Sequence, residues 1–203
     1  MGDVWSMVAA QRCALADALG DVGPTEWDRP SLCGGWRTQD VLAHLVWLAE
    51  LNRPRMFVRT TVAAMRHRRT PLGAMVPIAR GVADASTPGE LLGRLRAASG
   101  GRFVVPGAPP TAALAEALVH GLDITRALEH PDVLDPAAVR AAVSAMGRFA
   151  LVYGTPRTVR RMRLTSTSGW SLSGSGAGEL TADDGDLLLV MSGRLAPDEV
   201  NHG

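Results

Sequence analysis

Lysine is absent: all 21 basic residues of this 203-residue chain are arginine. That bias reflects codon usage in a GC-rich genome more than a demand for guanidinium chemistry. Against 20 acidic residues it leaves a formal net charge of +1, which removes any global electrostatic argument for a nucleic-acid partner. Two arginine runs exist, Arg66, Arg68 and Arg69 around His67, and Arg157, Arg160, Arg161 and Arg163. Neither is interleaved with aromatics, so both read as solvated faces. Two cysteines, Cys13 and Cys33, are too few for a disulfide framework, and each reads as a small packed side chain in a reducing cytoplasm. No segment reaches the roughly 18 uninterrupted apolar residues of a membrane helix. The first residues carry Asp3 and no basic region leading into an apolar core, so no secretory leader is expected, and the formal myristoylation match from Met1 to Ser6 is too short to carry weight.

Hydrophobic residues nonetheless make up 46% of the chain, enough for one core-forming domain and a small appendage. Asp3 is placed to cap a helix through Val4, Val8, Leu15 and Leu19, closed at Gly20. After a turn-rich stretch from Gly23 to Gly35, Thr38 is placed to cap a second helix through Val41, Leu45, Leu48 and Leu51. Pro54 kinks or ends it, and the pattern resumes at Phe57, Val58 and Val62. Residues 67–85 read as a connection holding at most a short helical piece. Ser86-Thr-Pro-Gly-Glu90 opens a third helix that ends at Gly100-Gly101, Pro109-Pro110-Thr111 a fourth that ends before Pro131, and Asp135-Pro136 a fifth to about Val152.

Beyond Gly154 the texture changes. Serine- and threonine-rich alternation around 163–168 and 170–173 predicts two strands, with Gly174-Ser-Gly-Ala-Gly178 as a hairpin loop and a last helix over 183–191. The fold class is therefore mainly α: a bundle of four or five helices over 1–154, followed by a small α+β domain over 155–203.

The chemistry concentrates in Glu116-Ala-Leu-Val-His120-Gly-Leu-Asp123, which sets a carboxylate, an imidazole and a second carboxylate at i, i+4 and i+7 of an apolar run. On a helix they share one stripe, with Glu116 and His120 about 40° apart and one turn apart along the axis. Unpaired charge on a core-facing stripe costs several kcal/mol, and a divalent cation is one partner that relieves it. His44, in Asp40-Val-Leu-Ala-His44, is embedded in a second apolar pattern and is the candidate third ligand. Asp40 and Asp123, a turn from His44 and His120, are placed to hold the second ring nitrogens. Taken alone, a Glu-x-x-x-His pair is common as a solvated i,i+4 pair, and a lone buried histidine is common in cores. The conjunction of all three on bundle helices is what favours a metal. Arg194, after the last helix, either caps carbonyls or addresses a substrate carboxylate, and it is the one candidate for a catalytic role.

These segments resemble the mycothiol-dependent maleylpyruvate isomerase family, a branch of the DinB/YfiT-like metalloenzyme bundles. Trp27-Asp-Arg-Pro-Ser-Leu-Cys-Gly-Gly-Trp36-Arg-Thr-Gln-Asp40-Val-Leu-Ala-His44-Leu45 is similar to its signature loop and second helix. Glu116 to Asp123 is similar to its metal-binding helix, and Trp170 to Arg194 to its C-terminal domain. The resemblance implies a DinB-like up-down four-helix bundle with an extra helix. It further implies metal ligation by His44, Glu116 and His120 with zinc the usual ion, and mycothiol as cosubstrate in transferase or isomerase chemistry on a small electrophile. The setting would be cytoplasmic, the protein a monomer or homodimer, with no nucleic acid and no membrane. A thiol-independent hydrolase of the same bundle, and a non-catalytic binding protein with Cys33 as a fourth ligand, stay open beside it. Measured against that family the C-terminal domain reads as trimmed to two strands and a helix.

Overall fold

Helix boundaries in this chain are written in capping residues. In a computed structural model describing residues 3–51, 58, 62, 75–104, 107–148, 155–157 and 159–200, Asp3 accepts the Trp5 amide and opens α1 (Val4–Ala18). Thr87 accepts the Glu90 amide and, with Pro88 in the first position, opens α4 (Pro88–Ala97). Asp135 accepts the Ala138 amide and opens α6 (Pro136–Arg148). The fourth expected helix is α5 (Thr111–Thr125).

The entry to α2 (Thr38–Glu50) differs from expectation. Arg37, not Thr38, is the capping residue: the Thr38 hydroxyl turns back to the Trp27 carbonyl at 2.8 Å, and the Asp40 carboxylate accepts the Arg37 amide at 3.0 Å. Thr38 is fully buried beside the preceding short helix Pro24–Asp28, so its hydroxyl must be satisfied there, and the acid three residues into the helix takes over the free amide. Residues 67–85 also hold more than a short piece, since Met75–Asp84 forms the ten-residue α3. Residues 67–74 lie outside the described residues, as do Phe57 and Val152. Val58 and Val62 are helical.

Two cores result. One joins Leu15, Leu19, Leu42, Leu45, Leu91 and Leu95 with Ile124. The other joins Leu114, Leu118 and Leu122 of α5 with Val139 and Met146 of α6, and continues into Leu164, Leu180 and Leu187 of the C-terminal part. Helix α5 serves both, which is why so few of its side chains reach solvent.

Among the described residues the C-terminal part contains three strands, not two. β1 (Arg163–Ser166) pairs antiparallel with β2 (Ser171–Leu172) and parallel with β3 (Glu179–Ala182), giving the order β2-β1-β3. The glycine-rich loop is therefore a crossover past β1 and not a hairpin. It runs tight against the chain: a Cβ on Gly174 would stand 2.2 Å from the Met162 carbonyl oxygen, and the Gly176 amide donates to Arg161 at 2.8 Å. α7 (Asp184–Met191) follows, capped by Asp183, with Leu187 to Met191 all buried. The Asp184 carboxylate gathers Trp170 Nε1 at 2.7 Å and the Ser166 and Ser168 hydroxyls, fixing the strands to the start of α7. The fold is mainly helical, a bundle with a small α+β appendage packed on α5 and α6.

Candidate metal centre

Glu116 and His120 rise from the middle of α5, and His44 faces them from the middle of α2. His120 Nε2 stands 3.1 Å and His44 Nε2 3.5 Å from the same oxygen, Glu116 Oε2. The two imidazoles meet edge to face with centroids 4.9 Å apart, and one ligand atom from each of the three residues lies within 4.8 Å of the others. The histidine side chains are 3% and 12% exposed while that of Glu116 is 44% exposed, so the cluster is walled on the histidine side and open on the carboxylate side.

Charge is distributed to match. Burial alone would raise the Glu116 carboxyl, but hydrogen bonds and charge from His120 and His44 hold it well below the usual carboxylate range. Solvent reaches Glu116 and screens part of that pull. His120 is opposed by burial, yet Asp123 and Glu116 carry it up to about 9. Burial pushes His44 down, only partly offset by Glu116. The cluster thus holds a carboxylate, one imidazole that readily keeps a proton and one that readily sheds it.

Asp123 stands where its spacing placed it: His120 Nδ1 and Asp123 Oδ2 are 2.8 Å apart, with Asp123 fully buried. Asp40 does not stand by His44. Its two oxygens are taken by Arg37, through the amide at 3.0 Å and the guanidinium at 2.9 Å, and His44 Nδ1 is buried with no hydrogen-bond partner among the described residues. Arg194 takes neither expected role cleanly. Its Nη1 donates to the Ser192 carbonyl at 3.1 Å, but Nε and Nη2 reach Asp123 at 2.8 and 3.0 Å, because the appendage folds back over the bundle. Cys33 lies with His120 and Asp123 and not in the His44–Glu116–His120 group, and burial and Asp123 raise its thiol. A closed centre with Cys33 as fourth ligand is therefore not the arrangement seen.

Two contributors were not singled out beforehand. Trp36 and Trp47 flank His44, with ring centroids 5.4 and 6.0 Å from it. The sequence held one signal for them: Trp47 follows His44 by three residues, on the same side of α2. The loop that carries Trp36 is anchored from several directions. Arg37 reaches Asp28 and Asp84, Arg80 donates to the Gly35 carbonyl at 2.6 Å, and the Leu32 amide donates to the Asp123 carbonyl at 3.3 Å. Gly35 has φ of 78°, a backbone state that glycine adopts without a steric cost.

Two histidines and a glutamate converging between facing helices are an arrangement from which helical bundles can build ligand or metal sites. Residues 8–103 match the model of the mycothiol maleylpyruvate isomerase N-terminal domain family, a stretch that includes the Trp27–Trp36 loop and His44. The fold is shared with the crystal structure of the mycothiol-dependent maleylpyruvate isomerase, at 14% identity and a TM-score of 0.56, over 98% of this chain and 90% of that one. A histidine-to-alanine mutant of that isomerase matches at 14% identity, a TM-score of 0.54 and the same coverage. Among the described residues the C-terminal part holds three strands beside its last helix, one more than expected. No curated protein sequence matches the chain.

Proposed function

We propose that the protein is a metal-dependent enzyme that uses mycothiol as cosubstrate on a small electrophile, with His44, Glu116 and His120 as the ligands of a divalent cation. The observation that carries this reading is the convergence of both Nε2 atoms on one oxygen of Glu116, within 3.1 and 3.5 Å. Two imidazole nitrogens and one carboxylate oxygen are a donor set that zinc accepts, and three protein ligands leave a position for an exogenous group. A bound divalent ion favours the deprotonated form of a thiol that reaches it, supplying a nucleophile at neutral pH.

The chain's own residues prepare that chemistry. Asp123 accepts from His120 Nδ1 and so directs Nε2 toward Glu116. Burial favours neutral His44, which leaves a ring nitrogen free to donate a lone pair. Trp36 and Trp47 wall the histidine side, and the open carboxylate side admits the cosubstrate. A thiolate delivered there can add to a conjugated double bond, allow rotation about the resulting single bond, and leave, as in an isomerase. If the new carbon–sulfur bond is kept, the outcome is a transferase reaction. No described helix is long and apolar enough to cross a membrane, and a cytoplasmic setting goes with the thiol.

The test is metal analysis of protein purified without chelator, paired with maleylpyruvate turnover in the presence and absence of mycothiol, on wild type and His120→Ala. One bound zinc and thiol-dependent turnover, both lost in His120→Ala, are expected. Turnover indifferent to mycothiol would replace the thiol reading with water-based chemistry, and a metal-free active wild type would refute the reading outright.

A further inference from the structure

Of the three clustered side chains, His120 is the one whose second nitrogen is held, and its holder is held in turn from the far end of the chain. Asp123 Oδ2 faces His120 Nδ1 at 2.8 Å. Arg194 Nε donates to Asp123 Oδ1 at 2.8 Å and Arg194 Nη2 to Oδ2 at 3.0 Å, across 71 residues of sequence. Arg194 sits just past α7, where Gly193 at φ of 73° turns the chain and the Arg194 amide closes back on the Leu189 carbonyl at 2.9 Å. The guanidinium can hold this place only while α7 is packed on α5 and α6. Because its fork is committed to Asp123, it is not a free anchor for a substrate carboxylate.

Resting on the metal reading above, we propose that Arg194 is a positioning residue through which docking of the C-terminal appendage sets the metal affinity of the His44–Glu116–His120 cluster. Asp123 is wholly buried, so its carboxylate takes its orientation from the cations that reach it, which among the described residues are His120 and Arg194. With Arg194 in place, both carboxylate oxygens are occupied and the carboxylate plane is fixed, which fixes the tilt of the His120 ring and aims Nε2 at Glu116. With Arg194 withdrawn, the carboxylate is free to rotate onto His120 alone, and the ring follows it away from the shared focus. Linkage makes the effect reciprocal: a metal that holds His120 in this orientation also holds Asp123 for Arg194, and so tightens the appendage.

The experiment measures zinc dissociation by chelator competition, without thiol or substrate, for wild type, Arg194→Ala, Arg194→Lys and Arg163→Ala, the last altering an exposed appendage pair. Loss of an outer partner of a ligating histidine, here Asp123, weakens metal binding by about 10- to 100-fold, so Arg194→Ala, which removes only that partner's anchor, should weaken it by about 10-fold. Lysine should recover part of it, and Arg163→Ala should keep the wild-type affinity. The visible bands of the cobalt-substituted protein should shift in Arg194→Ala, reporting a reoriented ring, and zinc should slow amide exchange across residues 187–195 of wild type. A folded Arg194→Ala with wild-type zinc affinity and cobalt spectrum overturns the proposal alone. Should that variant not fold, exchange over 187–195 in wild type that is indifferent to zinc overturns it equally. A wild type that binds no zinc removes this proposal and the metal reading together.

Discussion

Replacing Asp123 by asparagine removes one charge at nearly constant shape, and the cost follows from what surrounds it. The carboxylate is 0% exposed and makes three charge-assisted contacts, at 2.8 and 3.0 Å to Arg194 and 2.8 Å to His120. Asparagine keeps one acceptor oxygen and turns an amide group toward donors on the other side, so at least one contact becomes repulsive. Removing one partner of a buried ion pair costs about 3–5 kcal/mol. Here Arg194 is 20% exposed and can recover some hydration, which favours the low end, about 3 kcal/mol. For a chain of this size each kcal/mol moves the melting temperature by about 2–4 °C, so metal-free Asp123→Asn should melt about 6–12 °C below metal-free wild type. Because the pair is buried, the difference should persist in about 1 M salt, where the Debye length falls to about 3 Å. The exposed Arg163–Glu179 pair, at 3.7 Å with side chains 55% and 75% exposed, is the contrast: Arg163→Ala should stay within about 1 kcal/mol of wild type. Calorimetric melting that moves Asp123→Asn by less than Arg163→Ala would refute the reasoning.

Zinc binding should be proton-coupled. The metal-free fold raises His120 from 6.5 to about 9, so protonated His120 contributes stability fully below pH 6.5 and loses it as pH rises through 9. Zinc must displace that proton, so apparent affinity should climb between pH 7 and 9, by up to about tenfold per unit, and then flatten. Proton release measured by calorimetry in two buffers checks this, and a pH-independent affinity contradicts it. Gly101→Ala would place a Cβ 1.9 Å from the Ala49 carbonyl oxygen of α2. Chemical denaturation should show a loss of about 2–3 kcal/mol, and a neutral result would mean that α2 yields there. Cys33→Ala should keep the wild-type zinc stoichiometry, because Cys33 groups with Asp123 and not with His44 and Glu116; a metal-free variant would reinstate it as a ligand.

Elements with strong local chemistry could be read from the sequence. Asp3, Thr87 and Asp135 each announce a helix because an N-terminal amide needs an acceptor within a few residues, and that need is local. β3 went unread for the opposite reason. Its four residues offer only Leu180 and Ala182 to the core, and its partner is β1, reached by a parallel crossover that leaves no turn signature. Arg194 and Asp123 are joined only by the packing of α7, so no period or spacing could pair them.

The His44–Glu116–His120 cluster was legible through a conflict between polarity and burial, but the spacing rule that brings Asp123 to His120 does not bring Asp40 to His44. The difference lies in where each acid sits on its helix. Asp40 occupies the first turn of α2, where free amides and the positive end of the helix dipole compete for a carboxylate, and Arg37 adds a guanidinium. It is captured there and never reaches His44. Asp123 occupies the last turn of α5, where the dipole disfavours negative charge and the local backbone has no free amide to offer. A buried acid in that position needs cations from elsewhere, and among the described residues it has the imidazole one turn before it and a guanidinium from the appendage. Spacing identifies which side chains can meet, and position along the helix decides whether the backbone claims one of them first.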